Sequence, residues 1–279
     1  MSQRYCYWSV ATGPYAAPME RCIASARESG VFKEFHVLTD RPIEDCECYD
    51  AQTVEKTDGM FKLIYLKAGM SKLLFDYFIW VDADSFFVRN PRNVLECLGK
   101  SPIHVPLTTN LSALTEDKSL KGISTRQYSE LMTSAGVQNP VYLSASSFWI
   151  VQRQAIDRVV ELATHFRAFA KEKGFAADVS ACLGYAMQML CANPEAHRLN
   201  ARPDLWASDD QNHFEGVMPE NAAWRFADRF TGEKLEVNPS IIHLPHSKVF
   251  GPEQDRRPCE SQKFMPAAKP EEREYAKAF

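Results

Sequence analysis

The segment Ile79 to Val88 reads IWVDADSFFV, with Asp82 and Asp84 set inside one of the most apolar stretches of the chain. Just before them runs YFIWV, Tyr77 to Val81, a continuous apolar run of the kind that forms a strand buried on both faces. Such a strand needs covering layers on either side, and the preceding sequence supplies them by alternation. Tyr5 to Val10 reads as a strand, and Ala11-Thr12-Gly13-Pro14-Tyr15 turns the chain. Met19, Cys22, Ile23 and Ala26 recur at helical spacing until Gly30. Phe35 to Thr39 is a second strand, Cys48 to Val54 a short third, and Met60 to Phe75 a helix weakened at Gly69. Alternation of this kind through residues 1–90 predicts an α/β sheet with helices on both faces. In these sheets ligands bind beyond the carboxyl ends of the strands. ATGPY and DADS occupy two such places.

The remainder is less regular. Pro102 to Leu107 reads as a short strand, and Thr108 to Gln138 as a polar stretch with a helical piece from Arg126 to Ser134. VYLSASSFWIV, Val141 to Val151, reads as one strand. Ile156, Val159, Val160, Ala163 and Phe166 mark an amphipathic helix, and Asp178 is placed to N-cap another running to Leu190. A hairpin is expected around Thr231-Gly232-Glu233, then the strand SIIHL. From Gly251 the Pro-rich tail is expected to be extended or loosely packed.

Totals narrow the function classes. A chain of 279 residues, 45% hydrophobic, can bury a large core. A formal charge of −4 without long basic runs argues against nucleic-acid binding. No apolar run approaches a membrane span of ~20 residues, and MSQRYCYWSV lacks the regions of a signal peptide. The expectation is a soluble, cytoplasmic chain, with peripheral membrane contact left open. The eight cysteines show no CxxC spacing, so they are expected to be reduced and mostly buried rather than zinc ligands.

The aspartate pair carries the chemistry. Ionised carboxylates are costly to bury unpaired. If the strand continues, residues two apart point to one side, and two like charges that close repel. A divalent cation removes the conflict. Hard oxygen ligands suit Mg²⁺ or Mn²⁺, which keep substrate phosphate oxygens in their shell. A D-x-D pair alone arises readily by chance; its place at the end of an apolar strand preceded by a long helix gives it weight.

The block MFKLIYLKAGMSKLLFDYFIWVDADSFFVRNP, Met60 to Pro91, resembles the helix, strand and D-x-D segment of GT-A glycosyltransferases, particularly the glycogenin-like family 8 enzymes. VYLSASSFWIV, the helix opened by Asp178, and NPSIIHLPHSK, Asn238 to Lys248, resemble three later blocks of that family in its order. The resemblance implies a GT-A (Rossmann-like) mixed sheet flanked by helices, as a single α/β domain over residues 1–250. Within it, 1–90 would be the nucleotide-binding half and 91–250 the acceptor-side half, carrying a small acceptor-side subdomain, with 251–279 as the tail.

It also implies roles. Asp82 and Asp84 would hold the metal with His243 as third ligand, and Asp82 and Ala83 would also meet the donor. Lys62 would touch the donor sugar or phosphates. Ala11, Thr12 and Tyr15 would line the base and ribose pocket. Asp178 would contact the transferred sugar, and His246 and Lys248 would face the diphosphate leaving group. This chain departs from the family pattern in having His246 where a Gly is usual and Ser144-Ala145-Ser146 where Asn-Ser-Gly is usual.

The activity implied is metal-dependent transfer of a sugar from a nucleotide-sugar, UDP-sugar favoured, to a hydroxyl on a glycan, lipid-linked saccharide or protein, with retention. Trp206, Ser208, Asp209 and Asp210 form a polar cluster with one aromatic, suited to an acceptor sugar. Asp209 or Asp210 could act as base if the enzyme inverts. Bland alternatives stand beside these roles: His243 as a structural histidine, Lys62 as exposed surface, Asp178 as a cap alone. Two other functions also stand, a sugar nucleotidyltransferase and a non-catalytic nucleotide-sugar-binding relative. ATGPYAAP lacks the basic, Gly-rich loop usual in the former.

Overall fold

A computed structural model of the chain describes residues 4–50, 60–70, 73–91, 95–96, 98–120, 123–138, 141–191, 206–208, 212–217, 224–228 and 232–243. The strands are β1 (Tyr5–Ala11), β2 (Phe35–Thr39), β3 (Glu47–Asp50), β4 (Tyr77–Val81), β5 (Ser85–Phe87), β6 (Ile103–His104), β7 (Leu107–Asn110), β8 (Ser119–Leu120), β9 (Ile123–Ser124), β10 (Tyr142–Ser144), β11 (Phe148–Gln152), β12 (Trp206–Ser208), β13 (Asn212–Val217), β14 (Trp224–Asp228), β15 (Lys234–Val237) and β16 (Ile241–His243). The helices are α1 (Ala16–Glu28), α2 (Phe61–Met70), α3 (Thr125–Ser134), α4 (Ile156–Glu172) and α5 (Val179–Leu190). The fold is mixed α/β, built on a six-stranded mixed sheet of order β3-β2-β1-β4-β11-β6. The β1–β2 and β2–β3 pairs are parallel and the β11–β6 pair is antiparallel. No helix among the described residues is long and apolar enough to cross a membrane.

Contacts divide the chain into two compact units. One comprises Cys6–Thr53, Trp80–Glu96 and Arg202–Phe279. Here β2 is buried along its whole length, as its apolar sequence requires. Helix α1 turns Met19, Cys22, Ile23 and Ala26 inward, and the Tyr7 hydroxyl meets the sulfurs of Met19 and Cys22 at 3.4 and 3.3 Å. Burying a side chain such as Met19 or Ile23 contributes on the order of 2 kcal/mol. Gly30, at φ +70°, lets the chain leave α1 in a conformation that other residues resist. The hairpin expected around Gly232 is present: β14 and β15 pair antiparallel, Ala227 opposite Lys234, and β13 extends them to three strands. A separate sheet has the order β12-β16-β5.

The other unit comprises Met1–Tyr5, Val54–Ile79 and Cys97–Ala201. Helix α3 starts with a capping box in which Ser124 and Gln127 satisfy each other's backbone N–H groups. Helices α4 and α5 pack with Phe166 and Tyr185 stacked, ring centroids 4.6 Å apart. Asp178 caps α5 as expected, accepting from the Ala181 N–H at 2.9 Å. Gly184 lets α5 lie directly on β10, since a Cβ at that position would meet the Ser144 hydroxyl at 2.1 Å.

Three expectations are corrected. VYLSASSFWIV is two strands in different sheets, β10 pairing with β7 and β11 with β6, and residues 145–147 between them belong to neither strand. Helix α2 is described over Phe61–Met70, and residues 73–75 are not helical. The polar stretch after Thr108 carries strand β7 and the small β8–β9 hairpin besides its helix. Residues 51–54 of the third strand and the tail lie outside the described residues.

All six described cysteines are free thiols, and Cys6, Cys22, Cys182 and Cys191 are buried. Burial above all pushes the Cys22 and Cys182 thiols up to about 12. An unfolded thiol ionises near pH 8.5, whereas these stay protonated in the fold. The stability they support is therefore fully present below that pH and is lost as pH rises toward 12. Thermal melts in reducing buffer should show a constant Tm up to about pH 8.5 and a progressive fall above it. A Tm that holds to about pH 11 would contradict this.

Candidate metal centre

Val81 ends β4, and residues 82–84 reverse the chain. The Ser85 N–H donates to the Asp82 carbonyl at 3.1 Å, and β5 begins at once. The two carboxylates thus converge through a tight turn, not through the alternation of a continuing strand. Small polar side chains on β1 and α1 hold that turn. The Ser9 hydroxyl donates to the Val81 carbonyl, and the Cys22 thiol faces the Asp82 carbonyl at 3.9 Å. The Ser25 hydroxyl accepts from the Phe87 N–H at 3.1 Å. They satisfy backbone groups at and beside the turn, which would be costly to bury unpaired.

His243 reaches this turn through strand pairing. β16 runs antiparallel to β5, with Ile241 opposite Phe87, Ile242 opposite Phe86 and His243 opposite Ser85. The Val88 N–H continues the contact to Ser240 C=O at 2.9 Å. His243 Nε2 lies 3.2 Å from Asp84 Oδ1, and the two residues are 6% and 7% exposed. One ligand atom from each of Asp82, Asp84 and His243 falls within 4.8 Å of the others. Adjacent ligands about 2.1 Å from an octahedral ion stand about 3 Å apart, so the Asp84–His243 separation suits two neighbours on one ion. Two carboxylates and an imidazole, largely shielded from water, could hold a divalent metal ion.

Two further groups bear on the cluster. The buried Trp80 indole donates from Nε1 to Asp82 Oδ1 at 2.5 Å. Tyr15 is 38% exposed, and its phenol is raised first by burial and then by the charges of Asp84 and Asp82. Tyr15 closes the short 3₁₀ turn after β1, where Ala11 is buried and Thr12 half-buried. The same loop is tied to the end of β2 by the Gly13 N–H, which donates to Asp40 Oδ2 at 2.7 Å. Ala83 is buried within the turn. Trp206 and Ser208 lie on β12, parallel to β16, with Ser208 in register with His243.

Lys62 and Asp178 belong to the other unit, where they lie on a shared network. The Lys62 ammonium, on a residue only 9% exposed rather than on open surface, donates to Ser146 C=O at 3.3 Å. Ser180 Oγ donates to Ser146 Oγ at 3.1 Å, and Ser144 Oγ to Ser180 C=O at 2.5 Å. The serine segment that stands where the resembled family has Asn-Ser-Gly therefore lies against the start of the helix that Asp178 caps. Asp209, Asp210, His246 and Lys248 lie outside the described residues.

Trp80 is core, as its apolar run implies, but sequence reading missed it as a partner of Asp82. The available signal was the two-residue spacing, which puts both on one side of a strand. It also missed Ser9, Cys22 and Ser25, for which the sequence offers no local cue. No protein-family model matches the chain, and no curated protein matches it.

Proposed function

We propose that the chain is a metal-dependent glycosyltransferase that moves a sugar from a nucleotide-sugar, a UDP-sugar by preference, to an acceptor hydroxyl with retention. The observation that carries this reading is the convergence of Asp82, Asp84 and His243 where an apolar strand ends, His243 being brought from a strand far along the sequence. Hard carboxylate oxygens favour Mn²⁺ or Mg²⁺, ions that retain places for phosphate oxygens. When bound, the ion would supply charge neutralisation at a diphosphate leaving group.

The protein's own groups supply the rest. Ala11, the last residue of β1, and Thr12 and Tyr15 on the loop after it would receive the base and ribose. Lys62 and Asp178 would serve the donor sugar. His246 and Lys248 would offset charge on the departing diphosphate. Trp206, Ser208, Asp209 and Asp210 would face the acceptor. The protein incubated with Mn²⁺ and a panel of UDP- and GDP-sugars should release the nucleoside diphosphate slowly, with water as a poor acceptor. Release of pyrophosphate from a nucleoside triphosphate and a sugar phosphate would instead mark a nucleotidyltransferase. Mn²⁺-dependent nucleotide binding with no turnover on any donor would mark a binding protein.

A further inference from the structure

The loop after β1 is fastened to the end of β2. Gly13 stands at φ +58°, a conformation that glycine adopts at no steric cost. Its N–H donates to Asp40 Oδ2 at 2.7 Å, in the short range of charge-assisted bonds. Pro14 follows with φ fixed by its ring, and the Tyr15 N–H returns to the Thr12 carbonyl at 3.3 Å. Asp40 is itself held. The buried Thr39 hydroxyl accepts from the Arg41 N–H at 3.3 Å and donates to the Arg41 carbonyl at 2.9 Å, which ties the bend that carries Asp40. Arg41 in turn reaches Glu20 of α1 at 3.4 Å. The strand order sets this latch near the metal cluster. β1 pairs with β2, Ala11 opposite Thr39, and has β4 as its other neighbour. The loop therefore leaves the strand that stands between Asp40 and the Asp82–Asp84 turn.

We propose that Asp40 is a positioning residue that holds residues 12–15 in the shape that receives a nucleoside diphosphate, and so sets nucleotide affinity without setting metal affinity. This rests on the reading of the site as one for a nucleotide-sugar. A loop already in its bound conformation spares the ordering cost of binding. Released from Asp40, the same loop must be ordered by the nucleotide, and affinity falls. The Gly13–Asp40 bond involves none of the three side chains of the metal cluster. A tie that only stabilised the fold would lower Tm and leave the affinity of the folded protein alone.

The test is calorimetric titration of the full chain with UDP and with GDP at saturating Mn²⁺, and with Mn²⁺ alone. The proteins are the wild type, Asp40→Ala and Asp40→Asn, each checked for folding by its metal-free thermal melt. Asp40→Ala should weaken the nucleotide about tenfold and leave Mn²⁺ affinity unchanged. Asp40→Asn keeps an oxygen for the Gly13 N–H and should recover most of the loss. Wild-type nucleotide affinity in a folded Asp40→Ala protein overturns the role of Asp40 and leaves the nucleotide reading standing. So does an Asp40→Asn protein as weak as Asp40→Ala, since the charge and not the bond would then matter. A fall in Mn²⁺ affinity alongside that for nucleotide also overturns it. A wild type that binds neither nucleotide overturns the nucleotide reading and the role of Asp40 together. If Asp40→Ala does not fold, hydrogen exchange at the Gly13 amide of the unaltered protein decides. That amide should be protected with Mg²⁺ and nucleotide bound; free exchange there overturns the proposal.

Discussion

Asp84→Ala should remove Mn²⁺ binding, and with it Mn²⁺-dependent binding of UDP. Asp84 is the most completely enclosed of the two carboxylates and touches His243 at 3.2 Å. Its loss therefore deletes one ligand and frees the imidazole that it orients. Groups that merely support metal ligands cost about 10–100-fold in affinity when removed, so loss of a ligand should cost at least on the order of 100-fold. The readout can be thermal. At a hundred times Kd, a bound ligand adds roughly 2.7 kcal/mol to stability, so the wild-type Tm should climb with Mn²⁺ while that of Asp84→Ala stays flat. His243→Ala should behave alike. Asp84→Asn keeps an oxygen but not its charge and should fall between. An Asp84→Ala protein whose melt still responds to Mn²⁺ as the wild type does would mean the ion binds elsewhere.

The largest stability effect is expected at Gly184→Ala. The new Cβ would stand 2.1 Å from Ser144 Oγ and 2.7 Å from Ser144 Cβ, closer than packed atoms tolerate. Ser144 cannot swing aside freely, because its hydroxyl is tied to Ser180 C=O and its backbone pairs with Leu107 of β7. Helix α5 must then lift from β10. Overpacking of this kind typically costs about 1–3 kcal/mol, and this case belongs at the upper end. For a chain of this size that is a fall of several degrees in Tm, at roughly 2–4 °C per kcal/mol. Ser144→Gly removes both clashing atoms, so the double variant should recover most of the loss. Chemical denaturation of the four proteins of that cycle measures it; a Gly184→Ala protein as stable as wild type would show that the helix and strand are not in contact.

Much of this arrangement was legible in the sequence where the signal is local. The unbroken YFIWV run, the turn at Gly30, the Asp178 cap and the hairpin at Gly232 each follow from residues within a few positions of one another. The candidate cluster was only half legible. Asp82 and Asp84 stand out as neighbours, but for His243 only a family likeness pointed to the metal, since strand periodicity cannot say which distant segment pairs with β5. The turn that joins the carboxylates was missed for a related reason. It depends on Ser9 and Cys22, which satisfy the Val81 and Asp82 carbonyls from β1 and α1, and nothing near residue 82 in sequence announces them. Lys62 reads as surface from its helix alone; its burial follows from the Ser146 carbonyl, which lies in a segment well separated in sequence.

The most direct measurement is anomalous diffraction at the manganese edge from crystals of the full chain soaked in Mn²⁺. The expected result is a strong peak at bonding distance from an oxygen of Asp82, an oxygen of Asp84 and a nitrogen of His243. A map in which the imidazole of residue 243 and the two carboxylates show no peak between them, or in which manganese sits on other residues, would contradict the account.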